Sequence, residues 1–297
     1  MKGIIINKFR GDGRLFAEGK KMLEDLTGLP VVGILPYFRD IQIEQEDSVS
    51  LDAKYRKSVA GKVNVAVILL RRLSNFTDFD RLENDPRVNL FYTHDPAEIA
   101  KADIVIVPGS KNTIADMLAI KNNGMAKAIV EAHKSGKTVI GICGGYQILG
   151  SEIADPFQVE GSIESIPGIG ILPVSTVLQK EKTTLQCSFS FLDKNGRGVG
   201  YEIHMGDTKV FGPESPVTIL EDGRKDGYYL NEKTWGSYIH GILDNDHVID
   251  HLLSPYTSEI SQTGQTFQEF KEQQYDMLAD LIRANVDMDQ IYSTLQL

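Results

Sequence analysis

Residues 137–150 read KTVIGICGGYQILG. KTVIGI (137–142) is a short apolar run of the kind that forms a buried strand, and CGGYQILG (143–150) opens a helix. Cys143 therefore stands at a strand-to-helix turn. A nucleophile held there is lifted clear of the sheet by a strained backbone, and small neighbours let the turn close and a substrate approach. Gly141, Gly144 and Gly145 meet that need. The start of the following helix favours a thiolate through its dipole and its free N–H groups, and N–H groups just after the nucleophile are natural oxyanion donors. The ordinary alternative is an inert packed cysteine, because free cysteine is among the most buried residue types. Glycine framing argues against it for Cys143. Cys187, which lacks such framing, keeps that reading.

Around this turn the chain alternates strands and helices. VNVAVILL (63–70) is a continuous apolar run typical of a strand buried on both faces. VNLFY (88–92) and DIVIVPG (103–109) are further strands, and a helix is expected over 112–135, interrupted near NNG (122–124). The pattern predicts an α/β fold with a mostly parallel sheet flanked by helices. Ahead of it, GIIIN (3–7), a helix with Leu15, Met22, Leu23 and Leu26 on one face, and VVGILPY (31–37) form one βαβ unit, with Gly28 and Pro30 closing the helix. The polar stretch 41–62, with EQED at 44–47, is a linker or surface crossing. Beyond 150 the stretches 169–178, 185–191, 200–206 and 234–243 read as hairpins or edge strands separated by Gly-rich and charged turns. Residues 266–297 are helical. The expected division is 1–62, 63–250 and 251–297.

With 297 residues, 41% hydrophobic and 24% charged, the composition is that of an ordinary globular protein. A net charge of −10, from 31 basic and 41 acidic residues with no Lys/Arg cluster, disfavours a nucleic-acid partner. No segment approaches the ~20 apolar residues of a membrane helix, so no membrane partner is expected. Two cysteines make neither a disulfide framework nor a metal cluster. A reducing cytoplasm suits a free thiol.

A cysteine nucleophile needs a base. His240, at the end of TWGSYIH and before Gly241, can sit at a sheet edge facing a cleft. Glu202 and His204 share one face of the strand GYEIHMG (200–206). His133 reads as a solvated helix residue. His247 and His251 are spaced i, i+4 but lack the HExxH pattern, so a surface helix is the better reading and no metal site is expected.

GICGGYQ (141–147) with YIHGI (238–242) resembles the class I glutamine amidotransferases of the cobalamin-synthesis type. The resemblance extends to IIINKFRGD (4–12), GILPYFRDIQIEQEDS (33–48), VPGSKNTIADM (107–117), GIGILPVST (168–176), EKTTLQ (181–186), GYEIHMG (200–206) and YDMLADLIRANVD (275–287). In that order these stretches cover essentially the whole chain and are similar to the cobyric acid synthase family. The resemblance implies an enzyme that uses glutamine, ATP and Mg to amidate peripheral carboxylates of the corrinoid adenosylcobyrinic acid a,c-diamide. It further implies Cys143 as nucleophile and His240 as general base and later acid. The oxyanion donors it implies are the N–H groups of Gly109 or Ser110 and of Gly144, with Gln147 positioning the substrate. Most class I amidotransferases place a Glu two residues after the His. Here that residue is Ile242, as in the cobyric acid synthase group, and Glu202 is a candidate orienter on chemistry alone. The family's N-terminal domain resembles dethiobiotin synthetase and opens with a phosphate-binding loop, whereas this chain has no G-x-x-x-x-G-K-[ST]. Residues 1–62 are therefore read as the C-terminal remnant of an ATP-using α/β domain, with no cofactor bound by this chain. The alternatives are a cobyrinic acid a,c-diamide synthase, a lipid II amidotransferase-like glutaminase, a related Cys peptidase and a non-catalytic binding fragment.

Overall fold

The computed structural model describes residues 1–38, 40–41, 58–192, 196–258 and 267–295. Most of the expected linker, residues 42–57 with EQED, lies outside them. The chain forms two compact units, one from 1–44 with 264–297 and the other from 45–263.

In the first unit, β1 (Ile4–Phe9), α1 (Ala17–Thr27) and β2 (Val31–Pro36) make the expected βαβ, with the two strands parallel. Gly28 ends α1 in the left-handed region at φ 66°, its N–H donating to the Glu24 carbonyl. No residue with a Cβ adopts that conformation as cheaply. The expected apolar face is largely uncovered. Leu15 lies in a 3-10 turn ahead of α1, and Leu15, Met22 and Leu26 are 85%, 63% and 71% exposed. The C-terminal helical region is two helices, Phe267–Asn285 and Met288–Leu295. It belongs with β2: the Asp287 N–H donates to the Val32 carbonyl at 2.7 Å, and a Cβ on Gly33 would lie 2.7 Å from Val286 Cγ2. The last helices thus close on the first strands, so segments expected separately, 1–62 and 251–297, contribute to one unit.

The second unit begins with β3 (Val63–Ile68), α2 (Asp80–Glu83), β4 (Val88–Thr93), α3 (Pro96–Ile99) and β5 (Ile104–Val107). α4 (Thr113–Asn122) and α5 (Met125–Lys134) follow, broken as expected at Asn123–Gly124, and then β6 (Thr138–Ile142) and α6 (Gly144–Leu149). Every residue of β3, β4, β5 and β6 is buried, as continuous apolar runs demand in a sheet covered on both faces.

Beyond α6 come β7 (Glu152–Ala154), β8 (Ser165–Pro167), β9 (Val174–Phe191) and β10 (Arg197–Val210). β11 (Thr218–Leu220), β12 (Lys225–Asp226), β13 (Tyr228–Asn231), β14 (Thr234–Ser237) and α7 (Asp246–Leu253) complete the unit. The main sheet has the order β13-β14-β6-β5-β3-β4, and only the β13–β14 pair is antiparallel.

Two readings change here. β14 is a hairpin arm, as expected, paired antiparallel with β13, but it is no edge strand: its other side pairs parallel to β6, the strand that leads to Cys143. The charged stretch after 178, expected to be a turn, lies inside the continuous β9, and β9 with β10 forms a long antiparallel pair in the second sheet. Among the described residues no helix is long and apolar enough to cross a membrane.

Candidate active site

β6 delivers Cys143 at φ 50°, ψ −109°, a conformation that costs a non-glycine residue of order 1–3 kcal/mol. The surrounding glycines make it attainable. A Cβ on Gly141 would come 2.6 Å from the Gly145 carbonyl, and one on Gly145 would overlap the Val107 carbonyl outright. One on Gly144 would lie 2.9 Å from Ser110 N. Cys143 N–H donates to the Ser237 carbonyl at 2.8 Å, so β14 fixes the height of Cys143. Cys143 is 7% exposed, with Sγ 3.8 Å from the Ile203 carbonyl on β10.

His240 lies three residues past β14 and is fully buried. Its backbone exchanges two hydrogen bonds with Tyr201 on β10, and its ring stacks on the Tyr201 ring at 5.3 Å. Nδ1 is 2.7 Å from Asp78 Oδ2, and the other Asp78 oxygen accepts the Gly241 N–H at 2.9 Å. A carboxylate accepts only, so Nδ1 carries the proton and Nε2 is the atom left to serve Cys143. Burial by itself would depress the imidazole pKa. The charge and hydrogen bond of Asp78, helped by the neighbouring Cys143, outweigh it and push the value up to about 10.

Asp78 is the residue that sequence reasoning missed. It sits in the 3-10 turn Phe76–Phe79, introduced by Asn75 in the left-handed region at φ 53°. Asn75 also ties this turn to the histidine, since its Nδ2 donates to Tyr201 Oη at 2.7 Å. Behind the site, Arg81 and Arg87 share the buried Asp85 and reach Asp246 and Asp250 on α7, each at 2.9 Å. That network joins the segment following Asp78 to the segment following His240. Glu202, the candidate orienter, is turned elsewhere: its carboxylate lies 2.8 Å from Arg224 and 3.6 Å from His204. The neighbouring His204, against the effect of burial and with help from Arg224, holds it below the usual carboxylate range.

The other expected residues gather at the same end of the sheet. The Ser74 N–H donates to the Gly109 carbonyl and the Lys111 N–H to the Arg72 carbonyl, which pins the loop on both sides of Ser110. Ser110 N then faces the start of α6 at Gly144. Ser110 Oγ itself donates to Asp116 at 2.6 Å, so its backbone rather than its hydroxyl is available. Gln147 is 3% exposed; its Nε2 donates to Tyr238 Oη at 3.1 Å while Oε1 has no protein partner. His133 is not fully solvated, its Nδ1 lying 3.1 Å from Thr234 Oγ1. His247 and His251 pack on Phe191, with ring centroids at 6.2 and 5.2 Å. Cys187 is half-buried, and burial, with Glu202 and Asp226 nearby, pushes its thiol up to about 11.

A mostly parallel sheet with Cys143 on a strand-to-helix elbow has the class I glutamine amidotransferase-like α/β fold. A solved structure described as PurLQS from Thermotoga maritima has that fold at a TM-score of 0.50 and 17% identity, covering 66% of this chain and 100% of that one. Residues 64–248 match the CobB/CobQ-like glutamine amidotransferase domain, and the chain belongs to that family. Similar relatives include the cobyric acid synthase of Parabacteroides distasonis, 56% identical over 300 residues, covering 100% of this chain and 60% of that protein. That of Phocaeicola vulgatus is 53% identical over 298 residues, covering 99% and 60%. That of Limosilactobacillus reuteri is 42% identical over 311 residues, covering 100% and 61%. The chain thus spans about 60% of the length of the first two and 61% of the third.

Proposed function

We propose that this chain releases ammonia from glutamine for the amidation of peripheral carboxylates of adenosylcobyrinic acid a,c-diamide to cobyric acid. The observation that carries the reading is Cys143 on its strained elbow beside the buried His240–Asp78 pair. In the reacting pair His240 Nε2 takes up the Cys143 proton, and Asp78 stabilises the imidazolium that results. Sγ attacks the glutamine carboxamide carbon, and the developing oxyanion takes the N–H groups of Ser110 and Gly144. The C–N bond then breaks as Nε2–H protonates the leaving nitrogen, giving ammonia and a glutamyl thioester. Neutral Nε2 next takes a proton from water, whose hydroxide displaces Sγ and yields glutamate. Gln147 Oε1, buried and without a protein partner, is placed to accept a hydrogen bond from the substrate.

ATP and Mg belong to the amidation half. The sequence holds no phosphate-loop signature, and no residue of this chain is assigned to that site. No step is therefore assigned to ATP here. We read the first unit as part of an ATP-using α/β domain. Support comes from a two-stranded sheet that leaves Leu15, Met22 and Leu26 exposed and from the similarity to cobyric acid synthases. The cytoplasm is the expected compartment.

The test is labelling with diazo-oxo-norleucine followed by peptide mass spectrometry, alongside a glutaminase assay. An adduct on Cys143 is expected, with turnover lost in Cys143→Ala. A folded protein that takes no label at Cys143 and releases no ammonia would sink the reading.

A further inference from the structure

Asp226 is a buried carboxylate that takes no part in the reaction written above, and three neighbours donate to it. Oδ2 accepts from Ser237 Oγ at 2.5 Å and from Thr218 Oγ1 at 3.4 Å, and Oδ1 accepts from the Tyr238 N–H at 3.0 Å. Two of the three residues it grips, Ser237 and Tyr238, touch the site. The Ser237 carbonyl accepts the Cys143 N–H at 2.8 Å, and Ser237 Oγ accepts the N–H of Ile239, the residue before His240, at 3.1 Å. Tyr238 Oη accepts from Gln147 Nε2 at 3.1 Å, lies 2.6 Å from Thr208 Oγ1, and its ring stacks on His204 at 3.8 Å. Room for this arrangement exists only because residue 206 is glycine, where a Cβ would lie 2.5 Å from Tyr238 Oη and would overlap Gln147 Nε2.

Burying an ionised carboxylate is costly, and burial raises the Asp226 pKa, opposed by the Ser237 and Tyr238 hydrogen bonds; Glu202 adds to the rise and His204 opposes it from β10. A carboxylate can accept the Ser237 hydroxyl and the Tyr238 N–H at once because both oxygens are acceptors, whereas an amide offers one acceptor and turns its NH₂ on the other donor. The position therefore calls for aspartate on chemical grounds, beyond filling space.

We propose that Asp226 is a positioning residue for glutamine hydrolysis. It fixes the 237–239 segment, which sets the height of Cys143, the orientation of Gln147 and the approach of His240. The inference rests on the glutaminase reading of Cys143 and His240.

The experiment compares Asp226→Asn, Ser237→Ala and Tyr238→Phe in this chain, with rates expressed per site titrated by diazo-oxo-norleucine so that a smaller folded fraction drops out. Asp226→Asn is expected to lower kcat about 10- to 100-fold, the scale of a misplaced reacting group, and also to raise KM. Ser237→Ala should reproduce mainly the kcat effect and Tyr238→Phe mainly the KM effect, with little added by combining either with Asp226→Asn. Wild-type kcat and KM per titrated site in Asp226→Asn would overturn the proposal. Hydrogen exchange supplies a readout that needs no glutamine: amides of 143 and 237–240 should exchange faster in Asp226→Asn while β3 and β5 stay protected. Unchanged exchange at 143 and 237–240 overturns it as well. A wild-type chain that neither labels nor turns over refutes the glutaminase reading instead, and the exchange comparison still decides the role of Asp226.

Discussion

The 2.7 Å contact between His240 Nδ1 and Asp78 has a consequence for pH. Its pKa is raised from the ordinary 6.5 to about 10, so the imidazolium needed to protonate the leaving nitrogen persists well above neutrality. Glutamine hydrolysis should keep its rate through neutral pH and fall as pH rises through about 10. In Asp78→Asn both the charge and the accepting oxygen are weakened, so the alkaline limb should move toward neutrality and kcat should drop roughly 100-fold or more, the scale of general acid–base catalysis. A pH–rate profile unmoved by that substitution would remove Asp78 from the mechanism. The same shift has a sign for stability. Because the folded pKa is raised above 6.5, the pair contributes stability that is fully present below about 6.5 and is lost as pH rises through about 10. Cys143 and His240 were legible in the sequence because each carries its own framing, glycines around one and a strand end before the other. Asp78 was not, since its partner is 162 residues away and nothing in the local stretch FTDF marks a buried acid. Glu202 was a candidate on chemistry alone, but strand alternation put it on the face opposite Tyr201, toward Arg224 rather than His240.

The elbow between β6 and α6 is held by contact geometry that leaves no slack. Gly145→Ala would drive a methyl into the Val107 carbonyl, which belongs to the neighbouring strand and cannot swing away. A loss of more than ~3 kcal/mol in urea denaturation is expected, at the upper end of overpacking costs. A variant within ~0.5 kcal/mol of wild type, the range of harmless surface changes, would show that the turn can relax. Strands of the main sheet were readable because burial on both faces writes itself as an unbroken apolar run, and the break between α4 and α5 because Gly124 takes φ 81°. β9 was not readable across its polar middle. Residues 180–182 there are exposed, so no alternation records the strand, and pairing with β10 overrides the turn-like composition.

At the scale of the molecule, chain order and spatial order part company. The first unit is closed by segments from the two ends, and the Gly33–Val286 bridge that joins them leaves no periodic trace in either stretch. That is why the two stretches were expected as separate segments, 1–62 and 251–297. Met22 and Leu26 expose 63% and 71% of their surface in this chain, so Met22→Glu and Leu26→Lys should change its unfolding free energy by no more than ~0.5 kcal/mol. A destabilisation of several kcal/mol, read from denaturant melts, would mean that these side chains are covered after all. The same separation of sequence from space governs the candidate site, whose acid, thiol and imidazole sit on three stretches of chain brought together by the docking of β14 beside β6. A ribosome synthesising this polypeptide releases Asp78 first, Cys143 next and His240 last. Until that final crossing is made, Cys143 has no imidazole beside it, so the candidate site takes shape only once β14 has left the ribosome and docked beside β6.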